Sequence, residues 1–328
     1  KQKMDNQQLL FTICAATYLF ISLTLKYHQG WGVKVIQFIQ KGMSPTTNKL
    51  IRTIAFIGFD IIPMGAPILM WSGVNRVQQL GIDMFTIMLY TLYNQSALKL
   101  VYREHRPENV VRFVKGKGDA IVEKEYSFPS GHSWATTALW LMISHFPESR
   151  EMQIKVRYAA LAFSLLVGFT RVYSGVHFPH DVIAGWCCGV MTLYVYDNRV
   201  AGPYDHCLAA LCMFGLNLVI NHLQLISSTH RQDGLWVAPA LILGSWASKH
   251  FLSLDLLFSL SYSKVDILIR AIVGFSFMSA FFIALFSLID QMVFLLSFCF
   301  VIPIVVLYVL PFLFQHYISP FARQLLNV

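Results

Sequence analysis

Three short polar patches carry the residue types that phosphate chemistry requires. The first runs Lys99-Leu-Val-Tyr-Arg-Glu-His-Arg106-Pro107, and the second is Pro129-Ser130-Gly131-His132. The third runs from Arg171 through His177 to Asp181. Lys99, Arg106 and Arg171 supply positive charge. An arginine fork grips phosphate oxygens with paired hydrogen bonds, whereas lysine acts as a point charge. Ser130 and Gly131 open a predicted helix. The first backbone N–H groups of a helix have no intrahelical partner, and its dipole favours an anion there. Together these residues read as a cradle for a phosphate group.

Two histidines stand beside the cradle. Nucleophilic cleavage of a phosphate ester uses one group to attack phosphorus and another to protonate the departing oxygen. Pro179 suits the first turn of a helix, and Asp181 falls in that turn. From there Asp181 reaches back toward His177. A carboxylate on one ring nitrogen fixes the tautomer and leaves the other nitrogen to attack. His177 therefore reads as the nucleophile, oriented by Asp181, and His132 as the general acid. Lys99, Arg106, Ser130, Gly131 and Arg171 form the phosphate-binding set. The scheme uses neither a metal nor a cofactor.

These patches must be positioned by apolar helices. Of 328 residues, 56% are hydrophobic and 13% are charged, against about 25% charged in soluble domains. A spanning helix needs roughly 20 mostly apolar residues. Apolar runs predict spans over 9–25, 51–71, 80–100, 131–146, 156–170, 181–196, 207–223, 235–251, 267–289 and 292–314. The first of these could instead lie in the interface. Pro63 and Pro67 are expected to kink the second. Residues 33–42 alternate apolar and polar types in the manner of a short amphipathic helix on a membrane surface. The expected fold is all-α: a polytopic membrane bundle with a six-helix core and about three to four further C-terminal transmembrane helices. Residues 1–200 would hold the core and the site, and residues 201–328 the additional helices of the same membrane domain.

Topology lets the patches meet. The third span ends where the fourth must begin, and the fifth returns to that face before the sixth starts. All three patches therefore reach one membrane boundary, whatever the first span does.

The formal net charge is +8. No soluble basic module accompanies it, which excludes nucleic acid and leaves anionic lipid headgroups or an anionic substrate as partners. The six cysteines read as buried free thiols rather than disulfides or a zinc site. Oligomeric state leaves no signal in the sequence.

At these residues the chain resembles the type-2 phosphatidic acid phosphatase superfamily. The family pattern is Lys, six residues, Arg-Pro; then Pro-Ser-Gly-His; then Ser-Arg, five residues, His, three residues, Asp. Lys99 to Pro107 and Pro129 to His132 match in full, and Arg171, His177 and Asp181 match at the family spacing. Thr170 stands where the family has serine. The resemblance implies a phosphohistidine intermediate on His177, orientation by Asp181 and leaving-group protonation by His132. It also implies phosphate binding by Lys99, Arg106, Ser130, Gly131 and Arg171, and a site facing lumen, periplasm or exterior.

Other polar residues read more plainly. His105 and His180 are expected to be loop or interface histidines, and His145 interfacial. Asp60 reads equally as a helix–helix polar contact or a functional carboxylate. Tyr126 and Tyr173 neighbour the site. Gly185 and Gly189 form a small-residue pair suited to close helix packing.

The expected activity is hydrolysis of a lipid phosphate monoester, such as a sphingoid-base 1-phosphate, within a membrane. The alternatives are a glucose-6-phosphatase-like sugar-phosphate hydrolase and an isoprenyl diphosphate phosphatase. An anion transporter would also use the basic residues, but it leaves His132 and the His177–Asp181 pair without a purpose.

Overall fold

The computed structural model describes residues 6–41, 44–70, 75–107, 126–198, 204–222 and 234–251, together with the single residues 272, 299, 301 and 313. The expected spans at 267–289 and 292–314 lie outside the described residues. So does most of the polar stretch between the first two patches. The described elements are helical, as the apolar periodicity predicts.

In chain order they are α1 (Asn6–Leu23), α2 (Leu25–Gln40), α3 (Pro45–Ala55), a π-helical turn (Phe56–Asp60) and α4 (Ile61–Met70). There follow α5 (Asn75–Tyr102), α6 (Gly131–Ile143), α7 (Arg150–Tyr173), α8 (Pro179–Asn198), α9 (Asp205–His222) and α10 (Gly234–Phe251). Two of the described helices, Asn6–Leu23 and Arg150–Tyr173, are long and apolar enough to cross a bilayer. The run Leu235–Trp246 is apolar but shorter.

Local chemistry sets several starts. Ser44 caps α3 by accepting from Thr47 N–H at 3.1 Å, with Pro45 in the first helical position. Ser149 caps α7 through Met152 N–H at 3.2 Å. Ser130 caps α6. The predicted second span is continuous helix from Pro45 to Met70, in which α3 passes through the π turn into α4. The π turn releases the Gly58 carbonyl from the helical ladder. Thr136 Oγ1 and Trp140 Nε1 of α6 each donate to it at 3.1 Å, so this carbonyl is paired.

The chain divides into two compact units, and the three patches fall in one of them, made of residues 1–61, 94–200 and 225–232. Within it α6 packs between α7 and α8, α1 and α2 lie against α8, and α3 lies against α7. Gly185 and Gly189 make the α6–α8 approach possible. A Cβ on Gly185 would stand 2.6 Å from Ser130 O, and one on Gly189 2.5 Å from Thr137 Cβ. Polar bonds cross these apolar faces, including Trp134 Nε1 to Thr192 Oγ1 at 2.8 Å and Trp186 Nε1 to the Ser164 carbonyl at 3.1 Å.

α2 begins earlier than the predicted amphipathic segment. It buries Gly32 and Ile36 on the start of α8 through Phe178 and Val182. Tyr27, Trp31 and Phe38 remain exposed on it. In the second unit, Tyr93 donates to the Met213 carbonyl at 3.1 Å and to Asn217 Oδ1 at 3.2 Å, and Asn217 Nδ2 donates to the Leu235 carbonyl. Of the cysteines, Cys14, Cys187, Cys188 and Cys299 are buried as expected, whereas Cys212 is exposed.

Candidate active site

The site forms where α5 and α7 end and α6 and α8 begin. Lys99 lies in the last turn of α5 and is buried. Arg171 lies in the last turn of α7. That helix closes through Gly175, whose φ of 71° is a left-handed conformation natural to glycine. Gly175 N–H bonds the Val172 carbonyl at 3.0 Å and Val176 N–H bonds the Arg171 carbonyl at 3.3 Å. This paired closure turns the chain so that His177 follows directly on Arg171's helix.

α8 then opens as its sequence predicts. Pro179 is its first residue, and Asp181 lies in its first turn. Asp181 Oδ2 accepts from Phe178 N–H at 2.8 Å, the reach-back half of a capping box. The same oxygen lies 3.3 Å from His177 Nδ1 and accepts from Ser127 Oγ. Helix capping and ring orientation are thus served by one carboxylate oxygen.

On the other side of the ring, Arg106 Nη1 lies 3.3 Å from His177 Nε2. Arg106 is itself held by the Val176 carbonyl at 3.0 Å and the Tyr126 carbonyl at 3.5 Å, and only 1% of its surface is exposed. A guanidinium donates and never accepts. Nε2 must therefore present its lone pair, and the ring proton belongs on Nδ1, facing Asp181. Burial holds the His177 imidazole well below its ordinary pKa, and Arg106, Arg171, Lys99 and His132 add to the effect. The ring stays neutral, the form a nucleophile requires.

α6 supplies the remaining expected residues. Ser130 N–H donates to the Asp181 carbonyl at 3.1 Å, which ties the start of α6 to that of α8. Ser130 Oγ accepts from Ser133 N–H at 3.5 Å and from Ser133 Oγ at 3.0 Å. Its oxygen thus serves as the cap acceptor, while its own O–H remains a donor beside the backbone N–H groups of this turn. At Gly131 a Cβ would fall 1.6 Å from Gln95 Oε1, so glycine makes room for the Gln95 amide. His132 is half-buried, with its ring centroid 4.4 Å from that of Phe59 in the π turn. All eight residues expected from the sequence lie in the same compact unit.

Three further residues join the site that sequence reasoning passed over. Ser127 bonds Asp181 and lies 3.4 Å from His177 Nδ1. Its N–H donates to the Glu104 carbonyl at 2.8 Å. His180, expected to be a loop or interface histidine, is buried in α8 with Nε2 2.9 Å from Glu104 Oε1 and 3.3 Å from Asp181 Oδ1. Glu104 is buried too. Desolvation raises its carboxyl pKa to about 7, against the opposing pull of the neighbouring Asp181 and Gln29 side chains. The signal available in the sequence was a lone carboxylate inside a cationic patch. Glu104, His180 and Asp181 bring possible ligand atoms within 4.8 Å of one another. Glu104 Oε1 and His180 Nε2 are, however, already joined by a hydrogen bond.

Residues 80–200 match the family described as the PAP2 superfamily. The chain is 27% identical over 191 residues to an undecaprenyl-diphosphatase of Sulfolobus acidocaldarius, covering 55% of this chain and 85% of that one. It is 27% identical over 200 residues to lipid phosphate phosphatase delta of Arabidopsis thaliana, covering 55% of this chain and 47% of that protein, about half its length. A crystal structure of a transmembrane PAP2-type phosphatidylglycerolphosphate phosphatase from Bacillus subtilis aligns with a TM-score of 0.48 at 21% identity, over 59% of this chain and 95% of the other.

Proposed function

From a chain whose residues 80–200 match the PAP2 superfamily, we propose hydrolysis of lipid phosphate monoesters through a phosphohistidine intermediate. The observation that carries this reading is the setting of His177, between a carboxylate on Nδ1 and a guanidinium beside Nε2.

Lys99, Arg106, Arg171 and the backbone N–H groups at the start of α6 hold the phosphate oxygens. They stabilise the charge that grows on them in the transition state. Nε2 of His177 attacks phosphorus while His132 gives a proton to the departing alkoxide. A phosphorus–nitrogen bond replaces the phosphorus–oxygen bond, and the lipid alcohol leaves. His132, now neutral, takes a proton from water. The hydroxide attacks phosphorus, the phosphorus–nitrogen bond breaks, and inorganic phosphate departs. Asp181 keeps the Nδ1 proton in place throughout. No step passes through a metal.

The lipid assignment draws on the apolar helices around the site and on the relatives, whose names refer to undecaprenyl diphosphate and to lipid phosphates. In this reading the protein is multi-pass, with residues 1–200 as the catalytic core, and the site opens at the luminal, periplasmic or outer face. A sphingoid-base 1-phosphate is the finer assignment, and a diphosphate on an isoprenyl carrier is its rival.

The test is phosphate release by the purified protein from sphingoid-base phosphate, phosphatidic acid, isoprenyl diphosphate and glucose 6-phosphate, beside His177→Ala. Preferred turnover of one lipid, lost in the variant, is the expected result. Preferred turnover of glucose 6-phosphate would overturn the lipid assignment. Activity that survives His177→Ala would overturn the mechanism.

A further inference from the structure

The expected catalytic scheme uses one oxygen of Asp181 and leaves the other to be explained. Oδ2 takes Phe178 N–H, Ser127 Oγ and the His177 ring. Oδ1 lies 3.3 Å from His180 Nε2 and makes no hydrogen bond among the described residues. His180 Nε2 in turn lies 2.9 Å from Glu104 Oε1, which also accepts from Gln29 Nε2 of α2 at 3.3 Å. The result is a buried chain in which two imidazoles alternate with two carboxyl groups, ordered Glu104, His180, Asp181, His177. Glu104 and His180 are 6% and 2% exposed, and Asp181 is fully buried.

We infer that Glu104 and His180 are positioning residues for the phosphatase reaction, holding Asp181 by its second oxygen so that its first stays aimed at the nucleophile. This rests on the activity proposed above. Three physical points support it. A buried carboxylate oxygen that makes no hydrogen bond depends on nearby positive polarity to offset its desolvation. Oδ1 makes no hydrogen bond, and His180 Nε2, 3.3 Å away, is the edge of a ring that supplies such polarity. A neutral imidazole carries its proton on one nitrogen only, and Glu104 fixes that proton on Nε2, where it faces both carboxyl groups. The His180 ring is also clamped. It stacks on Phe178 at 5.2 Å between centroids and 10° between planes, and lies 5.5 Å from the His28 ring. The atoms that turn this ring toward Asp181 thus come from α2, the Arg106 patch and α8.

A pair that merely filled space would tolerate any neutral substitute of similar size, and a positioning pair would not. His180→Gln keeps an N–H near the Nε2 position, whereas His180→Phe keeps the stacked ring and loses the donor. Glu104→Gln keeps the shape and loses the charge.

The experiment compares kcat and KM for phosphatidic acid in detergent micelles. The proteins are wild type, His177→Ala, Glu104→Gln, His180→Gln, His180→Phe and the Glu104→Gln/His180→Phe double variant, each checked by thermal melting. Orienting partners of a functional histidine are worth about 10- to 100-fold. Glu104→Gln and His180→Phe are expected to lose that much kcat with KM changed less than about twofold. His180→Gln is expected to recover most of the loss. The double variant is expected to fall no further than the worse single one, because members of one chain act as a unit. If either substitution prevents folding, the other decides. Wild-type kcat in Glu104→Gln and His180→Phe, beside a dead His177→Ala, would overturn the pair's role and leave the phosphatase reading standing. Equal loss in His180→Gln and His180→Phe would also overturn it. An active His177→Ala would remove the phosphatase reading itself, and the pair's role with it.

Discussion

Arg106 Nη1 stands 3.3 Å from His177 Nε2, so the nitrogen that would attack phosphorus faces a cation before any substrate arrives. The contact does two things. It keeps a proton off Nε2, and it places the Arg106 fork where the phosphoryl group of the proposed reaction would sit. The carbonyls of Val176 and Tyr126 hold the fork in place.

That relationship makes Arg106→Lys a severe change. Lysine brings one charge on a flexible stem and no planar fork. A loss of roughly 100-fold or more in kcat/KM is expected, at the scale of removing a preorganised donor to a developing oxyanion. Steady-state phosphate release measures it.

His132 and His177 are separable by leaving group. His177→Ala should abolish turnover of every ester. His132→Ala should cost about 10²- to 10⁴-fold with a lipid phosphate, the usual contribution of a general acid. It should cost much less in release of the alcohol from an aryl phosphate, whose phenolate leaves without a proton. The burst of phenolate in rapid-mix kinetics reads this step apart from hydrolysis of the intermediate.

Gly131→Ala should displace the buried Gln95 amide, whose end occupies the place of the new Cβ, at the cost of repacking that side chain. Gln95→Ser removes the obstructing amide. The double variant should therefore melt above Gly131→Ala alone, a coupling that thermal unfolding of the four proteins detects.

Glu104 gives stability a pH dependence. Its folded pKa, about 7, lies above the ordinary value of 4.5. The folded state thus binds the proton more tightly than the unfolded chain. The resulting stabilisation is complete below about 4.5 and is lost as pH rises through about 7. Melting temperatures between pH 5 and pH 8 should fall more steeply in wild type than in Glu104→Gln.

Chelation tests the metal-free scheme. Phosphate release should persist after dialysis against a strong chelator. Loss of activity that a divalent ion restores would instead make the Glu104, His180 and Asp181 cluster its first candidate site.

Much of the site was legible because its logic is local. Pro179 and Asp181 announce a helix start, and a carboxylate three residues after the N-cap must reach back past His177. Helix parity then brings the three patches together. The π turn within the second span was less legible. Pro63 and Pro67 signal a break, but a π turn answers to its partners, here Thr136 and Trp140 on a helix far along the chain. Ser130 was legible as the opening of a helix, and the same position makes its hydroxyl the cap. Glu104 and His180 escaped because their roles exist only as a pair, 76 residues apart, and each alone resembles an ordinary polar residue at a helix end.

The bond from Ser130 N–H to the Asp181 carbonyl has a mechanical corollary. With Gly185 seated directly against Ser130 O, the two helix starts are bolted together, and neither can slide without dragging the other. The headgroup must come to a fixed jaw rather than be closed upon. Lengthening an acyl tail that stays outside the jaw should then alter how often the jaw is found while leaving its bite unchanged.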